Sequence, residues 1–136
     1  MRRWIVAVVA LCVAPIAGAQ GDCDAALAGT PRRVSDARYV VAYVVSPDPI
    51  AVGAHFVIDF AVCPRDGAPP PDAMRIDATM PEHRHGMNYH PTVTARAPGY
   101  WHAEGMLFHM PGRWDLAFDV VTGTRSERIT STLRVE

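Results

Sequence analysis

Two short segments hold most of the side chains able to bind an ion. The first is Met80-Pro81-Glu82-His83-Arg84-His85-Gly86-Met87-Asn88-Tyr89-His90-Pro91 and the second is Phe108-His109-Met110-Pro111-Gly112-Arg113. Four of the six histidines lie in them, and Met80, Met87 and Met110 lie beside those histidines. His83, His85 and Met87 are spaced i, i+2, i+4, so an extended backbone points all three the same way. Gly86 gives the chain freedom to bend them round one ion, and His109 or Met110 can close the shell. Imidazole plus thioether is a soft, uncharged donor set that favours Cu(I), with Cu(II) the alternative where imidazoles dominate. Zinc more often recruits cysteine or carboxylate alongside histidine, and the nearby carboxylate is Glu82 alone. The plainer reading is that Pro81, Gly86, Pro91, Pro111 and Gly112 punctuate ordinary loops and that Met80 caps a core. His102 reads as an exposed strand residue rather than a ligand, and His55 is left open between the two roles.

The elements that must position these residues are strands. Arg2 and Arg3 precede an apolar run from Trp4 to Val13, and Ala17-Gly18-Ala19 gives a small-x-small cleavage pattern, so residues 1–19 read as a signal peptide. The run is too short to cross a bilayer, and no later segment is long and apolar enough, so the mature chain is expected to be exported, soluble and periplasmic. Cleavage removes Arg2, Arg3 and Cys12 from the 13 basic residues and 3 cysteines, leaving eleven arginines against 14 carboxylates and two cysteines. An even cysteine count in an oxidising compartment reads as one disulfide, Cys23 to Cys63, against the alternative of two buried thiols. In the loop-entropy account a bridge spanning about 40 residues stabilises by about 4 kcal/mol.

Residues 20–38 read as an extended lead-in with one turn near Ala25 to Ala28. Seven short runs bounded by turn residues follow, at 39–46, 54–63, 74–80, 92–97, 100–107, 114–122 and 127–135. Phe56, Ile58, Phe60 and Val62 alternate onto one face, as do Trp114, Leu116, Phe118 and Val120, and then Ile129, Leu133 and Val135. Pro98-Gly99 and Thr122-Gly123-Thr124 read as hairpin turns. The pattern predicts an all-β, seven-stranded immunoglobulin-like antiparallel β-sandwich over residues 39–136, with a small barrel as the rival. If successive strands run antiparallel, both histidine-bearing connections lie at one pole, and Cys63 ends its strand at the other, where Cys23 arrives.

Other chemistries find no machinery in the chain. The arginines are scattered rather than gathered in a stripe, which leaves no footprint for nucleic acid. There is no Gly-x-Ser-x-Gly elbow, no phosphate loop and no dinucleotide fingerprint, and Asp59, Asp77, Asp115 and Asp119 fall on strand positions expected to face solvent. The protein is therefore expected not to be an enzyme.

The segment Met80 to Asn88, followed by Glu104-Gly105-Met106-Leu107-Phe108-His109-Met110-Pro111-Gly112-Arg113-Trp114, resembles the paired signatures of the YtkA-like domain family, small FixH-like exported proteins. The likeness runs over roughly the second to the seventh predicted strand. It implies an immunoglobulin-like β-sandwich, a role connected with copper or with respiratory oxidases, and ligand positions at His83, His85, Met87, His109 and Met110. Arg84 departs from the pattern, which has a small residue, usually glycine, between the two histidines. Two functions are expected to compete. One is a periplasmic copper-holding or copper-delivery protein that serves an exported or membrane-bound acceptor. The other is a metal-free interaction module anchored by Tyr89, Met87 and Met110.

Overall fold

The computed structural model describes residues 23–136; the predicted signal peptide, residues 1–19, lies outside them. Among the described residues there are nine strands and no helix. They are β1 (Arg32–Ser35), β2 (Tyr39–Ser46), β3 (His55–Pro64), β4 (Ala73–Met80), β5 (His85–Gly86), β6 (Thr92–Ala97), β7 (Tyr100–Leu107), β8 (Gly112–Thr122) and β9 (Arg125–Val135). They form two antiparallel sheets, ordered β1-β2-β3-β7-β6 and β5-β4-β8-β9, which pack as an immunoglobulin-like sandwich.

The expected strands are all present, and β1 and β5 raise the count from seven to nine. The lead-in supplies β1, whose Arg32-Arg33-Val34-Ser35 lacks an apolar alternation because it is an edge strand that pairs with β2 alone. The two residues of β5 are too few to show a period.

Alternation explains why these segments pair as they do. In β4 the burial pattern alternates without a break, Met74, Ile76, Ala78 and Met80 inward and Arg75, Asp77 and Thr79 outward. Across the sandwich, Phe118 of β8 meets Phe60 of β3 at 5.4 Å and Tyr43 of β2 at 5.2 Å between ring centroids. Truncation of such a buried aromatic to alanine typically costs about 3–5 kcal/mol. Between β3 and β7 the register slips, with Phe56 opposite Met106 but Ile58 opposite Ala103, so β7 bulges at Glu104-Gly105. Gly105 takes φ +82°, a backbone that glycine adopts without cost.

Cys63 ends β3 on the outer side of the first sheet and is bonded to Cys23, 40 residues earlier. The lead-in there forms a turn, Leu27 N–H to Asp24 carbonyl at 2.9 Å, and Ala26 N–H donates to the Tyr100 hydroxyl at 3.3 Å. At the same end Arg38 pairs with Glu127 at 2.6 Å and so links the two sheets.

His102 is not the exposed strand residue expected. It faces outward from β7 but is half-buried, with Nδ1 2.7 Å from Asp59 Oδ1 on the neighbouring strand. Asp59 and Asp119 likewise have partners, His102 and Arg128, rather than water alone.

Tyr43 places its ring in the core and its hydroxyl 2.7 Å from Ser131 Oγ across the sandwich. Burial raises its phenol above the ordinary value, and the Ser131 bond offsets only part of that. The unfolded chain, titrating near the ordinary value of about 10, ionises first, so this group withdraws stability as pH rises through that range. Urea unfolding at pH 8 and at pH 10.5 is expected to show a steeper alkaline loss in the native protein than in Tyr43→Phe. At pH 8 the variant should be less stable by about 1 kcal/mol, because Ser131 loses its partner.

Candidate metal centre

The loop after β4 is a tight hairpin. Met80-Pro81-Glu82-His83 closes a turn in which His83 N–H donates to the Met80 carbonyl at 3.1 Å. Arg84 then takes φ +56° and reverses the chain into β5, which pairs His85 with Met80 and Gly86 with Thr79. Met87 N–H continues the pairing to the Ala78 carbonyl at 3.2 Å. Gly86 lies close against the partner strand, where an added Cβ would come to 3.3 Å from the Ala78 carbonyl oxygen.

This geometry revises the expected extended run. Only His85 and Met87 follow the strand period, and His85 shares the inward face of its partner Met80. His83 sits in the turn, exposed, and the reversal at Arg84 brings its ring to 5.7 Å from that of His85. Arg84 itself is exposed, so its charge lies in water rather than among the histidines. Its left-handed backbone gives the physical reason for a glycine at this position: a Cβ there is strained by roughly 1–2 kcal/mol.

The β7–β8 connection comes to the same pole. Thr79 lies opposite Asp115 and His55 opposite Leu107, so the end of β4, the start of β8, the start of β3 and the end of β7 coincide. Gly53 N–H donates to the Phe108 carbonyl at 2.8 Å, which ties in the β2–β3 loop as well. Gly112, at φ +128°, approaches Met80 so closely that a Cβ would fall 2.9 Å from the Met80 methyl. The two loops therefore interlock, and His109 stands 5.0 Å from His85 between ring centroids. Met87 and Met110 are half-buried against the core beside them.

The donor atoms can be assigned in part. A carbonyl only accepts, so His85 Nδ1, 3.1 Å from the Gly86 oxygen, carries the proton and leaves the lone pair on Nε2. His109 Nδ1 is buried and has no hydrogen-bond partner among the described residues. An ion about 2.0–2.1 Å from each of two imidazole nitrogens holds the ring centroids about 5–6 Å apart. Both neighbouring pairs, His83 with His85 and His85 with His109, fall within that span. Among the described residues no three His, Cys, Asp or Glu side chains converge closely enough to hold an ion by themselves. A shell here would need further donors, and thioethers of Met87 and Met110 would make it soft.

The remaining histidines stand apart from the cluster. His55 is exposed and meets Tyr89 edge-on at 5.5 Å, and His90 lines a shallow groove with Met74, Ile76 and Val93 on the flank of the sandwich. Trp114, fully buried beneath the cluster, has no place among the candidate ligands. Its signals in the sequence are its inward position near the head of β8 and its place at the end of the second signature segment.

Replacing Arg84 with glycine relieves the left-handed strain and touches none of the histidines. Arg84→Gly is expected to raise stability by about 0.5–1 kcal/mol, measured by urea unfolding; an unchanged or lowered stability would contradict this account of the turn.

A solved structure of a DUF4426 family protein from Pseudomonas aeruginosa PAO1 superposes with a TM-score of 0.52 at 12% identity, covering 76% of this chain and 93% of that one. The filamin domain of Lin-41 gives 0.44 at 15% identity, covering 69% and 91%. The first likeness concerns the sandwich fold alone. No curated protein matches the chain. The family model described as YtkA-like matches residues 35–119, a stretch that contains both loops, β4, β5, β7 and most of β8, and the chain belongs to the YtkA-like family.

Proposed function

We propose that this protein is a periplasmic copper-holding protein that takes up Cu(I) at the His/Met pole and hands it to an exported or membrane-bound acceptor, such as a respiratory copper enzyme. The observation that carries the reading is the placement of His85 between His83, at 5.7 Å, and His109, at 5.0 Å, across two loops distant in sequence. His83, His85 and Met87 are the primary ligands, and His109 or Met110 completes the shell.

Neutral imidazoles and thioethers suit transport rather than permanent storage. The set selects a soft monovalent ion, while the absence of a thiolate or carboxylate from the shell keeps it exchangeable. The buried, unpartnered Nδ1 of His109 is a donor or acceptor without an occupation, which an ion or its shell would supply. Val52 and Tyr89, the large hydrophobic side chains left exposed among the described residues, belong to the β2–β3 and β5–β6 loops of the same pole. An acceptor docking there would meet an apolar rim around the ion.

Anaerobic Cu(I) competition titration of the chain from Gln20 to Glu136 is expected to give one tight equivalent. Met87→Ala and the double variant His83→Ala with His85→Ala should each weaken it about tenfold or more while leaving the fold intact by circular dichroism. Zn(II) should compete poorly. Absence of saturable Cu(I) binding by the native chain would sink the proposal.

A further inference from the structure

Trp114 touches both loops of the site. Its ring stacks on Phe108 at 4.5 Å and 11°, and Phe108 packs on Phe56 of β3 at 4.8 Å. It meets His85 at 6.0 Å and 66° and His109 at 5.5 Å and 78°, both edge-on geometries typical of aromatic contact. Its Nε1–H donates to the Met110 carbonyl at 3.1 Å. One rigid ring, anchored to both sheets, thus bears on one candidate ligand of the first loop and two of the second.

We infer that Trp114 is the positioning residue of the His/Met site. Its ring fixes the orientation of the His85 and His109 imidazoles, and its N–H fixes the backbone that presents Met110. An imidazole free to rotate gives up that freedom when it binds an ion, whereas one already held gives up less, so the ring raises affinity without touching the ion. The inference rests on the copper reading of the same site.

Trp114→Phe keeps an aromatic plane and removes the N–H. It is expected to weaken Cu(I) binding about tenfold or more, the scale on which supporting residues of metal sites act. Phe118→Leu loosens the same strand among Tyr43 and Phe60 and should leave the affinity within about twofold, so mere loss of core packing is separated from positioning. Equal affinity in Trp114→Phe and the native chain, or equal losses in the two variants, would overturn the inference. A second measurement needs no copper: in the metal-free protein, carbon-13 relaxation of the His85 and His109 rings should report greater motion in Trp114→Phe while that of His55 stays the same. Unchanged ring motion at His85 and His109 would overturn the inference as well. If the native chain binds no Cu(I), the reading of the site fails on that measurement, and the metal-free spectra still decide whether Trp114 holds the two rings.

Discussion

Each sheet of this molecule has one apolar face, and the surface that covers it is the apolar face of the other. With no helix among the described residues, nothing else is available to cap Phe60, Tyr43 or Ile58 on one side and Phe118, Leu116 or Ile76 on the other. Face-to-face burial therefore imposes the alternation seen in β4 and β8, and with it the register of the strands that line the core. Register in turn decides which connections share an end. The convergence of the β4–β5 and β7–β8 loops follows from how the core is closed, before any ligand is considered.

On that frame the pole is built by close approaches rather than by many hydrogen bonds. Met80 ends β4 fully buried and fills the space that the missing side chain of Gly112 leaves, so a glycine in one loop and a methionine in the other hold the loops together. Phe56, Phe108 and Trp114 form an aromatic column from β3 of the first sheet to β8 of the second. The histidines rest on the last ring of that column. The exposed loops are thereby supported by a buried aromatic cluster.

Much of this was legible in the residues. The alternations in 54–63, 74–80 and 114–122 mark strands whose ends the structure moves by one or two positions. Counting antiparallel turns placed His85 and His109 at one pole although 24 residues separate them. β1 escaped notice because an edge strand of arginine and serine buries too little to show a period. β5 escaped because pairing, not side-chain pattern, defines two residues as a strand. The partnership of His102 with Asp59 was hidden by the same fact that makes strand reading work: alternation tells which face a side chain takes, not which neighbour across the sheet it meets. Arg84 shows the reverse case, since its departure from the family pattern marks the one residue of the loop whose backbone prefers no side chain.

The shortest element has the last consequence. β5 rests on the sheet edge through pairs with Thr79 and Met80 and the Met87 N–H bond to Ala78 that follows them, while its neighbour β4 is also bound along seven positions to β8. Opening β5 exposes little apolar surface and breaks few bonds, so it belongs to the low end of the molecule's local unfolding energies, well below the cooperative unfolding of the sandwich. His85 and Met87 therefore sit on the least anchored edge of the second sheet, whereas Trp114 beneath them is fully buried in the core. The pole thus divides into a lightly paired half at the sheet edge and a half seated on the core.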